Sequence, residues 1–350
     1  MRRSSPTSAA AVSSQLLSIP RTILIARFHW TQTLARASNP MASAPPLLRL
    51  GTRRSPLAMA QAEEARARLC AAHGWDESAI ELVPVVASGD RIQDRPLAEI
   101  GGKALWTREL DQWLADGRID AAVHSLKDVE TRRPDSLALA AILPRADKRD
   151  VLLGAASLAA LPQGATIGTS APRRAAQALH ARPDCRVVTF RGNVATRIAK
   201  LAAGEADATF LAAAGLARLG ESGVGHPLDP ADWLPAPAQG AIALECGAED
   251  SRVRDLLAAV DHAPSRSEVM AERALLAALG GTCHSPVAVL CDREGEMLAM
   301  RAALFSPDGS ERVDGAATFP AGDDAGPARL ASDLLERATP AITVHFTGPQ

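Results

Sequence analysis

The fold is decided first by residues 47–62, which read LLRLGTRRSPLAMAQA. The apolar run at 47–53 predicts a short buried strand. Ser55 and Pro56 then predict the start of a helix, because serine is a favoured N-cap and proline fits the first turn. We expect that helix to cover residues 58–72 and to end near Gly74. A strand that leads directly into a helix is the repeating unit of α/β proteins.

The strand–helix unit recurs along the chain. Strands are predicted at 80–86, 121–123, 166–168, 186–190, 209–212 and 241–246, and helices at 105–114, 173–180, 194–203 and 216–219. Their alternation favours mainly parallel sheets with right-handed crossovers. Because the pattern occurs in two blocks, we expect two α/β lobes. The chain would leave the first lobe near 148–150 and return through the proline-rich stretch 234–239.

The pattern changes after Pro264. A helix at 265–279, antiparallel strands at 287–290, 297–305 and 312–317, and a last helix at 328–338 are typical of a small α+β domain. The expected fold class is therefore α/β, with two lobes and a small C-terminal α+β domain. The predicted limits are 47–146 plus 240–260 for the first lobe, 147–239 for the second lobe and 263–346 for the α+β domain.

Residues 1–46 differ in composition from the rest. They contain five arginines and no acidic residue, and the first acidic residue of the chain is Glu63. This segment is interpreted as a disordered extension or a transit-like segment. A start at Met41 is the favoured explanation, so the expected location is the cytoplasm, with organelle import through residues 1–40 as the less favoured alternative.

The overall composition limits the classes of function. The formal net charge is −2 and aromatic residues make up 3% of the chain, which argues against a nucleic-acid-binding surface. No run of eighteen or so apolar residues predicts a membrane-spanning helix. The five cysteines form no CxxC pair, so we expect neither a disulfide framework nor a zinc site.

Arginines recur where predicted strands end and helices begin. Arg53, Arg173, Arg174 and Arg191 occupy such positions, and Arg197 follows in the next helix. Ligands of open α/β sheets bind beyond the carboxyl ends of the strands, and the guanidinium fork matches carboxylate geometry. The set therefore predicts a cationic cleft for a small molecule with several carboxylates or phosphates. The alternative for each single arginine is a solvated surface position.

Two further residues are candidates for chemistry. Asp128 ends the sequence HSLKD at 124–128, directly after a predicted strand, where a carboxylate could stabilise a developing cation or handle a proton. A loop ion pair is the alternative. Cys283 follows Gly280, Gly281 and Thr282 on a loop that could reach out of its own domain, although most cysteines are buried and inert.

Seven motifs in one order resemble those of the hydroxymethylbilane synthase (porphobilinogen deaminase) family. They are TRRSPLA at 52–58 with Gln61, GGK at 101–103, HSLKDV at 124–129, GTS at 168–170 with Arg173 and Arg174, RGNV at 191–194, QGA at 239–241, and GTC at 281–283 with Pro286. The resemblance covers everything from about residue 47 to the C-terminal helix.

The resemblance implies a transferase that condenses four porphobilinogen units, with loss of ammonia, onto a dipyrromethane cofactor held by Cys283 through a thioether. It then releases hydroxymethylbilane by hydrolysis. The family's first two domains are similar to the lobes of periplasmic anion-binding proteins. The implied enzyme is a monomer that needs no metal, nucleic acid or membrane.

The resemblance also assigns roles to residues. Asp128 would be catalytic. Implied cofactor contacts are Cys283, Lys103, Ser125, Lys127, Asp128, Thr169, Ser170, Arg173, Arg174, Arg191 and Gly192. Implied substrate contacts are Arg53, Ser55, Arg191, Arg197, Arg218 and Gln239.

The chain departs from the family pattern at three places. Thr282 stands where many members have glycine, Ala171-Pro172 replaces a frequent Ser-Leu, and Glu130 follows Val129 where proline is common. We expect these changes to adjust loops, and the change at Ala171 removes one hydroxyl that could contact the cofactor. The alternative function is a non-catalytic, two-lobe anion-binding protein, which would need neither Cys283 nor the third domain.

Overall fold

The computed structural model describes residues 46–85, 107–221 and 223–346. These residues form two five-stranded sheets and one three-stranded sheet, each packed against helices. The predicted architecture of two α/β lobes and a small α+β domain is confirmed.

The secondary structure follows the chain in this order. The strands are β1 Leu48–Arg53, β2 Ile80–Val85, β3 Ala121–Ser125, β4 Leu137–Ile142, β5 Asp150–Leu153, β6 Thr166–Gly168, β7 Arg186–Val188, β8 Ala208–Ala212, β9 His226–Pro227, β10 Ile242–Gly247, β11 Val287–Glu294, β12 Met297–Phe305 and β13 Arg312–Pro320. The helices are α1 Pro56–His73, α2 Arg108–Ala115, α3 Pro172–Ala181, α4 Val194–Ala202, α5 Ala213–Arg218, α6 Ser251–Ala258, α7 Ala263–Ala278, α8 Ala325–Arg337 and α9 Pro340–Thr343.

The first lobe is a sheet with helices on both faces. Its strand order is β2–β1–β3–β10–β4. Apolar residues of α1 and α6 pack on one face, where Leu69 and Leu257 are fully buried. Helix α2 covers the other face through Leu110, which packs against Val85 and Ala122. The alternation of strand side chains between two apolar faces explains why these strands read as almost continuous apolar runs.

The second lobe repeats this arrangement with the strand order β7–β6–β8–β5–β9. On one face Ala178 of α3 shares a core with Phe210 and Trp233, whose rings stack with centroids 4.8 Å apart. On the other face α4 and α5 pack through Ile198 and Leu216. Each lobe therefore has its own core, and the carboxyl ends of its parallel strands are free to build a site.

Four of the five strands in each lobe run in one direction, as predicted, but each sheet also contains one reversed strand that was not predicted. In the first lobe β1 is parallel to β2 and β3, but β10 is antiparallel to β3 and β4. In the second lobe β6 is parallel to β7 and β8, but β5 is antiparallel to β8 and β9. The cause is topological: β5 and β10 are the strands that the chain enters after crossing between lobes, so they run opposite to strands reached through a helix within one lobe.

The C-terminal part is an antiparallel meander, β11–β12–β13, covered by α7 and α8. Its core includes Leu275 of α7, Met300 of β12 and Leu334 of α8. The two connections contain Gly295 and Gly309 with positive φ, which the predicted turns require. The limits of the three domains remain a prediction, because sheet pairing assigns the strands and leaves the connecting segments open.

Some element ends differ from the sequence predictions. The strand predicted at 186–190 ends at Val188, because the chain turns there and packs the Phe190 ring over Gly168. A Cβ on Gly168 would lie 2.5 Å from that ring, so only glycine allows the contact. The helix predicted at 105–114 is described from Arg108 onward. Strands β4, β5 and β9 and helices α6 and α9 were not predicted.

Candidate active site

A cavity of about 580 Å³ lies where the two lobes meet the loop that carries Cys283. A volume of this size is typical of small-molecule sites. Predicted site residues that line it are Arg53, Ser55, Lys127, Asp128, Ser170, Arg173, Arg174, Arg191, Gly192, Arg197, Gln239 and Cys283. The structure thus brings together residues that are far apart in the sequence and come from all three parts of the fold.

Local structure explains why the first of these residues reach the cavity. Arg53 is the last residue of β1, and the hydroxyl of Ser55 accepts a hydrogen bond from the backbone N of Ala58 at the start of α1. In the second lobe the Asn193 side chain accepts from Thr196 N and starts α4, directly after Arg191. Both lobes therefore present a strand end and a helix N-terminus to the cleft, as ligand sites of α/β sheets do.

The cavity is strongly cationic. Of the described residues that line it, eight are arginine or lysine, and Asp128 is the one acidic residue. Burial, together with the charges of Arg174 and Arg191, lowers the pKa of Arg197 to about 10, although Asp128 opposes the decrease. Burial likewise lowers the pKa of Lys127 to about 8. Burial is the main cause of both shifts, and the carboxylates of a bound ligand would oppose it.

Arg173 and Arg174 are held by a carboxylate behind the cavity wall. Asp150, which is fully buried, lies 2.8 Å from Nη2 of Arg173 and 2.7 Å from Nη2 of Arg174. It also accepts hydrogen bonds from Nε1 of Trp233 and Nε2 of Gln239. Within the described residues, the buried Nε atoms of both arginines have no hydrogen-bond partner. The two guanidinium groups are therefore fixed in direction by the carboxylate.

Gln239 links this anchor to the Asp128 segment. Its Nε2 donates to the carbonyl of Lys148, 2.8 Å away, and to Asp150, while its Oε1 lies 3.4 Å from Nζ of Lys127. The next residue, Gly240, has φ +88, and a Cβ there would lie 2.5 Å from the carbonyl oxygen of Ala146. Glycine is required because the outgoing and returning crossings touch at this point.

Asp128 ends a short 3₁₀ turn, Leu126–Asp128, that follows β3. Leu126 is fully buried, which fixes the turn from below and leaves the Asp128 side chain at the cavity wall. A second, small cavity of about 60 Å³ lies beside it and is lined by Ser55, Gln61 and Ser125, among others. Nε2 of Gln61 and Oγ of Ser125 are 2.7 Å apart there.

A buried charge cluster supports the Asp128 segment from behind. Glu245, which is fully buried, lies 3.1 Å from Nε2 of His124 and 2.8 Å from Nε of Arg133. Arg133 also binds Asp111 and Glu130. Burial alone would raise the pKa of Glu245, but the hydrogen bonds and charges of His124 and Arg133 outweigh it and lower that pKa to about 2.

Cys283 is exposed at the cavity, whereas the other four cysteines are buried. Its loop is held by its neighbours: the Ser285 hydroxyl accepts from Thr282 N, and the Thr282 hydroxyl accepts from His284 N. Thr282, which departs from the family pattern, thus stabilises the turn. Desolvation by the surrounding walls, and then the carboxylates of Asp128 and Glu130, raise the pKa of the Cys283 thiol to about 11.

Three predicted site residues do not line the main cavity, and a fourth lies outside the described residues. Nε of Arg218 lies 3.0 Å from Glu64 of α1, and its Nη2 donates to the carbonyl of Gly240, so the guanidinium joins the lobes and does not face the cavity. The Thr169 hydroxyl is buried and accepts from Ala171 N. Ser125 lines only the small cavity. Lys103 falls outside the described residues.

Other residues of the site were not predicted. Arg54, Asn193, Arg273 and His284 line the main cavity. Arg54 and Asn193 lie inside motifs that the sequence singles out, so their positions gave a usable signal. Arg273 sits in the middle of α7, where nothing in the helical pattern separates it from a solvated arginine.

Within the described residues, no three His, Cys, Asp or Glu side chains converge as metal ligands. In the same residues, no helix combines the length and apolar character needed to span a membrane.

Comparison with known proteins identifies relatives across most of the chain. The family model described as "Porphobilinogen deaminase, dipyromethane cofactor binding domain" matches residues 48–255, and the model for the C-terminal domain of the same family matches residues 267–336. A porphobilinogen deaminase of Sphingopyxis alaskensis is 56% identical over 306 residues, which cover 85% of this chain and 96% of that protein. A porphobilinogen deaminase of Paracoccus denitrificans is 48% identical over 292 residues, covering 83% of this chain and 92% of that protein.

A periplasmic substrate-binding protein of an ABC transporter from Coxiella burnetii is similar to 61% of this chain and 91% of its own, with 16% identity and a TM-score of 0.38. The two family models and the two relatives are sufficient, and the chain belongs to the porphobilinogen deaminase family.

Proposed function

We propose that this enzyme joins four porphobilinogen units head to tail, with loss of one ammonia from each, on a dipyrromethane attached to Cys283. Release of hydroxymethylbilane by hydrolysis completes the cycle. As a porphobilinogen deaminase it is a transferase of tetrapyrrole biosynthesis. The observation that supports the residue assignment is the meeting of Cys283, the one exposed cysteine among the described residues, with Asp128 in one cationic cavity.

The residues present fit the dipyrromethane cofactor. Two pyrrole rings built from porphobilinogen carry four carboxylates, and the cavity offers eight cationic side chains. Arg173 and Arg174 line the cavity with their guanidinium groups fixed by Asp150, so they are placed to bind such carboxylates. When bound, the cofactor supplies a nucleophilic pyrrole carbon as the primer for chain growth.

Asp128 is proposed as the catalytic carboxylate. Departure of ammonia leaves positive charge on the methylene carbon of the substrate, and an acidic side chain beside that carbon lowers the cost of the charge. The surrounding arginines cannot do this, because they would repel a cation. Asp128 is the one acidic residue among the described residues of the wall, so the assignment has no competitor there.

The cationic residues are proposed to bind carboxylates. Arg53, Arg191 and Arg197 would hold the acetate and propionate groups of the incoming substrate, with Ser55 and Gln239 in support. Arg173 and Arg174, fixed by Asp150, would hold the cofactor, together with Lys127, Ser170 and Gly192. A guanidinium whose direction is already fixed loses little freedom on binding, which favours affinity.

Intact-mass measurement of the purified enzyme tests the attachment site. We expect a mass increase equal to two pyrrole units, and a colour with acidic Ehrlich reagent. Cys283→Ser should abolish both, whereas Cys291→Ser, which changes a buried cysteine, should retain both. An adduct that persists in Cys283→Ser would refute the attachment at that sulfur.

Asp128→Asn tests the catalytic assignment. Loss of one preorganised electrostatic contact typically lowers kcat by about 10²–10³. We therefore expect turnover to fall by at least about a hundredfold while the cofactor stays attached and the thermal midpoint stays near that of the wild type. Near-normal turnover in this variant would be incompatible with the role.

The alternative of a non-catalytic anion-binding protein makes opposite predictions. Such a protein would bind porphobilinogen reversibly, carry no covalent adduct and release no ammonia.

We further propose that the enzyme acts as a monomer in the cytoplasm, without nucleic acid or membrane. The formal net charge of −2 argues against a nucleic-acid-binding surface. Size-exclusion chromatography with light scattering tests the monomeric state.

A further inference from the structure

The segment that follows Asp128 is tied directly to the helix that leads to Cys283. Nη2 of Arg273, in the middle of α7, lies 2.6 Å from the carbonyl oxygen of Glu130 and 3.0 Å from that of Thr131. Nη1 of the same guanidinium lies 3.4 Å from the carbonyl oxygen of Val129. One buried side chain of the C-terminal domain therefore gathers three successive carbonyls of the first lobe.

A second tie reaches the cysteine loop itself. The hydroxyl of Thr131 donates to the carbonyl oxygen of Gly281, at 3.0 Å. Gly281 N in turn donates to the carbonyl of Leu276 at the end of α7. A Cβ on Gly281 would lie 2.6 Å from the Leu276 side chain, so the backbone has little room to move at this residue. The Thr131 hydroxyl thus forms a hydrogen bond with the loop two residues before Cys283.

The other side of the Asp128 segment is also anchored. The Glu130 carboxylate accepts from the Thr107 hydroxyl and pairs with Arg133, which is joined to the fully buried Glu245. The segment 129–131 is therefore fixed to the first lobe at one end and to the cysteine loop at the other. Hydrogen bonds of Thr282 and Ser285 stabilise the conformation of the cysteine loop. The hydrogen bond from Thr131 to Gly281 therefore also restricts the position of the Cys283 sulfur.

We propose that Thr131 is a positioning residue that sets the place of Cys283 relative to Asp128. This inference rests on the proposed function and deepens it. A primer bonded to the sulfur must present its terminal ring to the carboxylate at the first addition, so the resting position of Cys283 relative to Asp128 sets the start of chain growth. Reacting groups displaced by about 1 Å can lose on the order of a hundredfold in rate. Thr131 touches neither substrate nor sulfur and acts only through Gly281.

Thr131→Val tests the proposal because it removes the hydroxyl and keeps the shape of the side chain. One hydrogen bond contributes on the order of 1 kcal/mol, which corresponds to about fivefold in rate. We expect kcat of the holoenzyme to fall by about fivefold or more while KM for porphobilinogen is unchanged. Thr131→Ser, which retains the hydroxyl, should restore most of the loss.

A second readout does not depend on turnover. In the full-length protein purified without cofactor, Cys283 is the exposed cysteine among the described residues, so a thiol reagent reports on its loop. Release of the loop in Thr131→Val should raise the rate of alkylation at Cys283 several-fold, measured by intact mass. Thr166→Val is the matched control, because Thr166 lies in β6, away from both loops, and its hydroxyl accepts only a long, 3.4 Å bond from Arg186.

The outcomes separate the inference from the proposed function. A wild-type protein with no adduct and no turnover would overturn the proposed function. An active wild type with Thr131→Val matching Thr166→Val in kcat and in alkylation rate would overturn the positioning role alone. A lower thermal midpoint with unchanged kcat and alkylation would equally refute it, because that pattern marks a purely structural hydrogen bond.

Discussion

Asp150 offers the sharpest test of how the cationic wall is held. Its carboxylate is fully buried and is in contact with Arg173, Arg174, Trp233 and Gln239. Asp150→Asn preserves the shape and removes the charge. The new NH₂ group would also face N–H donors, because the four partners of the carboxylate all donate. Two buried guanidinium groups would then share no counter-charge.

The size of the effect follows from that geometry. Removing one partner of a buried ion pair typically costs about 3–5 kcal/mol, since the remaining charge is left uncompensated. For a protein of this length, about 2 °C of thermal midpoint corresponds to 1 kcal/mol. We therefore expect Asp150→Asn to lower the midpoint by roughly 6–10 °C at pH 7.

The effect has a definite pH dependence. Burial alone would raise the pKa of Asp150, but Arg173 and Arg174 hold it far below the ordinary value of 3.8. A carboxyl with a depressed pKa stabilises the fold above its unfolded pKa and loses that contribution as the pH falls. The difference between wild type and Asp150→Asn should therefore be full at neutral pH and shrink below pH 3.8.

Differential scanning calorimetry at pH 7 and at several lower pH values measures both effects. Asp333→Asn is the matched control, because Asp333 forms an exposed pair with Arg337 on α8, and exposed pairs contribute little. A midpoint for Asp150→Asn that matches the control at pH 7 would refute the argument that Asp150 compensates the two arginines.

Two further predictions follow from other buried contacts. Hydrogen bonds from His124 and Arg133 outweigh burial and lower the pKa of Glu245 to about 2. The ionised Glu245 therefore stabilises the fold fully above pH 4.5, the ordinary pKa of a glutamate, and this contribution is lost as the pH falls from 4.5 to about 2. Urea unfolding of Glu245→Gln should accordingly show less loss of stability than the wild type over that interval, and equal slopes would contradict it. Gly240→Ala should lose at least about 2 kcal/mol, because a positive φ and a 2.5 Å contact with a backbone oxygen are both unfavourable. Gly247→Ala, whose Cβ would meet nothing closer than 3.9 Å, should be close to neutral, and equal denaturation midpoints for the two variants would refute the reasoning.

Local signals in the sequence predicted the elements that carry the site. The Ser55 cap, the proline after it and Gly74 at the helix end mark α1 without any long-range information, and the structure agrees to within a few residues. The directions of the two reversed strands, β5 and β10, could not be predicted in the same way. They depend on which lobe the chain has just left, and no local pattern around β5 or β10 records that.

The contact partners of individual arginines were the least predictable feature of the site. Arg218 resembles a carboxylate-binding residue of the family, but its partner is Glu64, which lies 154 positions away and is brought close only by the packing of α1 against α5. Arg273 shows the reverse case, since a position without any motif turned out to join the two loops of the site. A sequence motif predicts which residue type occupies a position, but tertiary packing decides which residue that side chain contacts.

The charges of the site are therefore arranged on two levels. Arg173 and Arg174 are compensated from behind by Asp150, which keeps them in place whether or not a ligand is bound. Lys127 and Arg197 have no carboxylate at that distance, and burial lowers the pKa of both, as it does for Arg173. A polyanion that enters the cavity would raise these pKa values and gain affinity from doing so. The arginines held by Asp150 thus orient the ligand, and Lys127 and Arg197 add attraction for each dicarboxylate unit.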